Sequence, residues 1–462
     1  MIRVPYAAPG CAACVAMTHW TPMLRIGLLS MFLTVTSAFA QSETQTSEGK
    51  WEIYTEHPRL FLNAQRLRLL KRERERMSQR WTQFDTLISG KAQFPEPAVA
   101  HGLYFQVTEQ PESAARAIQS ALASNADPRH VALVYDWCQN QLSEAQKANL
   151  SARLTKVMSG PSPDILTLRS RILAAIVLGK GETLEQIIRN DWTKTAQSLT
   201  TRRQRINGPE LFAIYEILHA VRDNTNNDLR ESYGEFFRNL PHVQLLSYYP
   251  APFPSSENDY RIPAYSGRGD PDLKDATFSR IAELSMIAFD RNSVEVQFLQ
   301  GWVNNDHYQL NGSLGVAYEF LWANPYQPGL TYQNLPTYFY DPIRGLVLAR
   351  STWDEDATWF GIIDGQPQSF DNGQRRTGLP KQDRVGDVAI QKGTVPMKFE
   401  IRKDDPGLRL LLGLAPSRSY VLEVDDEEMT EVRSTASGIL VLDLKRSRET
   451  GARLALPWQP QR

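Results

Sequence analysis

Near residue 338 the chain changes its hydrophobic period. Upstream, apolar residues recur at three- and four-residue steps, as in Leu67, Leu70, Met77, Trp81, Phe84 and Ile88. Downstream the period drops to two, as in Leu440, Leu442 and Leu444 alternating with Val441 and Asp443. A chain with one such switch commits to helices first and strands afterwards, which selects an α+β arrangement rather than alternating βαβ units. At 462 residues and 42% hydrophobic it can bury two cores, since a single core rarely grows beyond ~250 to 300 residues.

Helices are expected at roughly Pro97 to Val107, Glu112 to Ser124, Pro128 to Gln141, Glu144 to Met158, Asp164 to Leu178, Glu182 to Thr200, Pro209 to Asp223 and Asp228 to Leu240. Their breaks carry Gly, Pro, Asn or Ser, as at Gly160-Pro161-Ser162-Pro163 and Asn207-Gly208-Pro209. Short connections force successive helices to pack antiparallel, giving an open or closed array of helical hairpins. No fixed-period repeat is visible. The stretch from Pro241 to Thr277 is rich in Pro, Gly, Ser and Asp and too long for an ordinary connector, so it reads as a functional loop. Helix returns at Phe278 to Asp290 and Val294 to Val303. Strands are expected at Leu346 to Arg350, Thr358 to Ile363, Lys398 to Ile401, Tyr420 to Val424 and Ile439 to Leu444.

Residues 1–22 read as an over-called start, and 23–40 as a secretory signal: Arg25, the apolar run Ile26 to Val35, and Ala38-Phe39-Ala40 before Gln41. A polar tether, 41–54, follows. The expected location is periplasmic or secreted, without stable membrane insertion once the signal is removed. Cys11 and Cys14 fall in the discarded segment, leaving Cys138 as a buried unpaired thiol. A net charge of −1 excludes nucleic acid as a polyelectrolyte partner, and the KRERER run, Lys71 to Arg76, reads as a solvated helix face.

Three segments, EHPRLFLNAQRLRLLKRERER (Glu56 to Arg76), ENDYRIPAY (Glu257 to Tyr265) and DPIRGLVLARSTWDEDATWFGIIDG (Asp341 to Gly365), resemble the heparinase II/III and alginate lyase-like group of polysaccharide lyases. The resemblance implies an N-terminal α/α toroid, 55–335, followed by an antiparallel β-sandwich, 336–462. It also implies an acidic, uronate-containing polysaccharide as partner, cleaved by β-elimination. That chemistry must neutralise a carboxylate, remove the adjacent proton and protonate the departing oxygen. Carried onto this chain, proton transfer falls to Tyr260 in the loop and to His219, which shares a helix face with Tyr215 and Asp223. Tyr265 is the alternative tyrosine. Asn258, Arg261, His307 and Arg375 are candidates for substrate binding. The plain reading of the same residues is a loop aromatic for Tyr260, a structural ion pair for Arg261, a core histidine for His219 and a turn for His307.

The chain departs from the family pattern in one place. Of its seven histidines none follows His307, so the stretch Gln368 to Gly393 lacks the sandwich histidine and any imidazole ligand set. Neither a metal nor another cofactor is therefore expected. A basic, amide-rich stretch there suits a second reading, a non-catalytic glycan-binding or envelope scaffold protein with the lyase fold. A hydrolase using Glu257 and Asp259 is disfavoured, because two carboxylates so close in sequence cannot flank opposite faces of a sugar.

Overall fold

The computed structural model describes residues 51–458, except 257, 268, 381, 382, 404, 406, 427, 437 and 445. The expected signal segment, most of the tether and Glu257 lie outside the described residues. Lys50–Arg462 forms one compact unit. Trp51 and Ile53, assigned to the tether by sequence, pack against the helical core, and the Tyr54 amide donates to Asn224 O at 3.0 Å.

Helices run from Ala64–Glu75 to Val316–Trp322, and the expected boundaries coincide with local capping chemistry. Asn63 accepts from the Arg66 amide, and Ser143 with Gln146 and Asn207 with Glu210 form reciprocal capping boxes. Several segments differ from expectation: the helix expected from Phe278 begins at Leu273, an unexpected short helix spans Val316–Trp322, and two others carry a backbone irregularity. The helix predicted over Glu182 to Thr200 is divided into Gly181–Ile187 and Thr193–Thr201 by a π-turn at Ile188–Trp192. The last helix before the loop begins at Gly234 and continues through Pro241 to Leu246. Burial of Pro241, Val243, Leu245 and Leu246 offsets the backbone donor that proline lacks.

The HPRL segment is a structural anchor. Asp136, 1% exposed, accepts from His57 Nδ1 at 2.6 Å and from the amides of Arg59 and Leu60. One buried carboxylate thus satisfies the irregular backbone that leads into the first helix. Cys138 is buried and unpaired beside it, its thiol pushed up to about 12 by burial and the Asp136 charge.

The C-terminal strands form three sheets among the described residues. In the first, Tyr338–Asp341, Leu346–Arg350, Trp359–Ile363, Gln366–Asp371 and Gln374–Thr377 are joined as successive antiparallel pairs. In the second, Leu408–Leu412 lies between Ile439–Asp443, antiparallel, and Val388–Lys392, with which it pairs parallel. The third holds Met397–Ile401, Thr450–Ala455, Ser419–Val424 and Glu428–Arg433, all antiparallel. The sandwich-like region is therefore antiparallel except at one ladder.

Side-chain alternation fixes the stacking. Leu408, Leu410 and Leu412 meet Val347, Ala349, Phe360 and Ile362 of the first sheet, while Leu411 turns towards Phe399, Ile401, Tyr420 and Leu422 of the third. The middle sheet is thus buried on both faces, as its near-continuous apolar strands require. The opposite face of the first sheet presents Leu348, Trp359, Ile363 and Phe370 to Val243, Leu246, Tyr249 and Ile262 of the helical part. Trp359 Nε1 donates to Leu246 O at 2.7 Å, and the Tyr249 ring stacks on Phe370 at 5.1 Å.

Candidate functional site

The functional loop is pinned at both ends of a small ribbon in which Phe253–Pro254 pairs with Asp259–Tyr260. Arg261 holds it down: Nε donates to Asp306 Oδ1 at 2.9 Å, Nη2 to Glu355 Oε1 at 2.6 Å and Nη1 to Pro250 O at 3.1 Å. Asp306 in turn pairs with the buried Arg280, whose guanidinium lies 4.5 Å from the Trp302 ring and 5.1 Å from that of Tyr308. Glu283 and Tyr248 complete this cluster, the Tyr248 hydroxyl donating to Glu283 at 2.5 Å. Burial raises the Glu283 carboxyl above its ordinary value despite Arg280.

This framework presents Tyr260 to an open cavity of about 440 Å³. Its ring meets that of Tyr308 at 5.2 Å, and both line the cavity together with Asn258, Lys274, Glu96 and His130. Asn258 Nδ2 donates to Gln309 O, which ties the tyrosine ribbon to the segment 308–315 forming the opposite wall. Tyr308 is 3% exposed, and burial raises its phenol well above its ordinary value, with Thr277 and Arg280 pulling the other way.

A buried charge chain underlies the cavity. Arg129 grips Glu216 through Nε and Nη2 at 2.7 to 2.9 Å, and Arg169 reaches the same carboxylate at 3.0 Å. Arg129 Nη2 also donates to Tyr318 Oη at 2.8 Å, and Tyr318 donates to Glu96. Glu96 thereby connects the buried chain to the imidazole of His130, 14% exposed, whose Nε2 lies 3.5 Å away. Burial tends to raise the Glu96 carboxyl, but Arg129, His130 and Tyr318 outweigh it and hold it at about 2.

The seven residues singled out from sequence do not form one constellation. Tyr260 and Asn258 meet at the cavity. His219 is fully buried: Nε2 contacts Ser285 O at 2.9 Å, and the ring lies between Trp322 at 4.5 Å and Phe289 at 5.0 Å. Burial first, then Arg66, keep its imidazole far below its ordinary value and hence neutral. Tyr215 and Asp223 share its helix but not a cleft: Tyr215 packs on Phe289, and Asp223 pairs with Arg222. Arg261 is held by three protein partners. Arg375 is likewise occupied, donating to Tyr265 O at 2.7 Å and to Gly267 O at 2.5 Å while its guanidinium covers the Tyr265 ring at 4.0 Å. Tyr265 donates to Gly269 O at 2.9 Å, so this pair shapes the loop. His307 is exposed and stands outside the cavity lining.

Glu96, His130, Lys274 and Tyr308 were not singled out from sequence. Glu96 carried a signal, standing between Pro95 and Pro97 at a helix N-cap where glutamate is a poor cap, and it makes no capping bond. Glu216, the lone charge in the apolar run LFAIYEILHAV, carried another, as did Arg169, which with Arg171 interrupts ILTLRSRILAAIV, since a charge among apolar residues needs a partner. Nothing in the sequence marked the two as partners of Arg129. Among the described residues no group of three or more His, Cys, Asp or Glu is arranged to hold a metal ion, and no helix is long and apolar enough to cross a membrane. No protein-family model matches the chain, and no curated protein matches it.

Proposed function

We propose that this chain is an exported protein of the heparinase II/III-like type, its helices closing into an α/α toroid, and that it cleaves an acidic, uronate-containing polysaccharide by β-elimination. The observation that carries the reading is the open cavity where two tilted tyrosine rings 5.2 Å apart, amide groups, one lysine and an imidazole 3.5 Å from a carboxylate converge. In the proposed reaction Lys274 and neighbouring amides offset the uronate carboxylate, lowering the cost of carbanion-like charge on the adjacent carbon. Tyr260 transfers the proton. The C–H electron pair becomes the new C=C bond, the glycosidic C–O bond breaks, and the departing oxygen takes up a proton. Tyr308, kept protonated by burial, supplies a hydrogen bond to developing charge. The imidazole role expected of His219 passes to His130, whose Nε2 stands 3.5 Å from Glu96 Oε1.

One observation favours the second reading, glycan binding without cleavage. The stretch that replaces the family's sandwich histidine is used structurally: Gln368 accepts from Tyr249 Oη at 2.8 Å, and Arg375 holds the loop. The deciding experiment follows the ultraviolet absorbance of unsaturated uronate products over alginate, heparan, hyaluronan and pectic substrates, with binding measured in parallel. Product formation selects the lyase, and binding without product selects the glycan-binding protein. Absence of both overturns the two readings together.

A further inference from the structure

The helices Leu273–Phe289 and Val316–Trp322 both begin at the tyrosine cavity and end at a second one. At ~1.5 Å per residue, the ten residues from Thr277 to Ile287 separate the two by about 15 Å. The second cavity is narrow and basic. Arg66, Arg80 and Arg291 line it against a single carboxylate, Glu73, which pairs with Arg80 at 3.2 Å. Arg291 makes no ion pair among the described residues, and the Arg66 guanidinium, also without an ion pair there, donates to the Phe61 carbonyl at 3.3 Å. Burial, together with the like charges of Arg291 and Arg222, brings Arg66 down to about 10 even though Asp223 acts in the opposite sense. Positive charge is therefore concentrated here beyond what the protein neutralises.

The rest of the lining is aromatic and amide. The Arg66 guanidinium lies 4.3 Å from the Trp322 ring, and Tyr326 stands at the mouth 70% exposed. Trp322 is 2% exposed, yet its Nε1 hydrogen finds no acceptor among the described residues. Gln327 Oε1 is likewise buried without a donor in the same cavity. Buried polar atoms are almost always satisfied, so an orphan donor and an orphan acceptor beside surplus cations mark a place completed by a ligand. Arginines recognise a carboxylate in a planar fork, amides recognise hydroxyls, and an exposed aromatic ring stacks on a sugar face.

We propose that this cavity is a second binding site, for a sugar acid: its carboxylate lies between Arg66 and Arg291, its ring against Tyr326, and its hydroxyls on Gln327 and the Trp322 indole. The site lies beyond the β-elimination reading and stands whether or not the tyrosine cavity is catalytic. The test is calorimetric titration of the full chain with D-glucuronate, D-glucose and inorganic sulfate. Glucuronate should bind, and glucose and sulfate should bind at least ~10-fold more weakly, since one lacks the charge and the other the ring. Arg291→Gln changes an exposed side chain and should weaken glucuronate binding at least ~10-fold with an unchanged melting temperature. Tyr326→Ala should act in the same direction, and Lys398→Ala, an exposed lysine that lines neither this cavity nor the tyrosine cavity, should leave this affinity unaltered. Arg66→Gln should weaken binding too, but it also disturbs packing on Trp322, so Arg291→Gln decides. No glucuronate binding, equal binding of sulfate, or binding undiminished by Arg291→Gln would each overturn the assignment.

Discussion

Replacing Glu96 by glutamine tests the charge chain beneath the tyrosine cavity, because it keeps the shape of the side chain and removes only its charge. The carboxyl, 20% exposed, is held at about 2 in the folded protein against an ordinary 4.5. At ~1.36 kcal/mol for each tenfold change in proton affinity, the charged form contributes roughly 3 kcal/mol to folding. The folded value is the lower one. The contribution is therefore complete above about 4.5 and is lost as the pH falls through about 2. Urea unfolding of wild type and Glu96→Gln should accordingly differ by ~3 kcal/mol at neutral pH, and the two curves should converge on acidification from 4.5 towards 2. A difference under ~1 kcal/mol at neutral pH, or one that does not shrink in acid, would refute the claim that Arg129 and Tyr318 hold this group ionised.

Three further outcomes are expected. Tyr260→Phe should lower turnover on the cleaved polysaccharide ~10²- to 10⁴-fold with an unchanged melting temperature, and near-normal turnover would transfer the proton-transfer role to Tyr308 or Tyr265. Arg261→Ala strips a partner from Asp306, which is 1% exposed, and should cost roughly 1–3 kcal/mol of stability; intact stability with only a raised KM would restore Arg261 as a substrate ligand. Gly301→Ala places a methyl carbon 1.8 Å from the Leu330 carbonyl oxygen and should destabilise by roughly 1–3 kcal/mol in denaturant unfolding, whereas a neutral result would mean that the 329–330 segment moves aside freely.

The fold was legible where local chemistry decides it. Strands expected at Leu346 to Arg350 and Lys398 to Ile401 occur at Leu346–Arg350 and Met397–Ile401: the first is a short apolar run buried on both faces, the second alternates on a half-buried face, and both patterns are local. The parallel ladder between Val388–Lys392 and Leu408–Leu412 was not legible, since direction depends on where the chain re-enters the sheet and not on its period. Tyr260 was singled out because the ENDYRIPAY segment resembles the lyase family's loop, and it lines the cavity. His219 and His130 were not distinguishable by their neighbours: both lie on helices opened by proline, and only the packing of those helices buries one and exposes the edge of the other to the cavity. Glu96 and Tyr318 are 222 residues apart, a pairing that no spacing argument reaches.

The face that joins helices to strands has a mechanical consequence. Trp359, Leu348 and Phe370 share their core with Leu246, Tyr249 and Ile262, so apolar packing ties the first sheet to the helical part. Calorimetry should show one cooperative melting transition for both halves. Either half expressed alone should aggregate, each leaving on its surface the apolar patch that the other now covers.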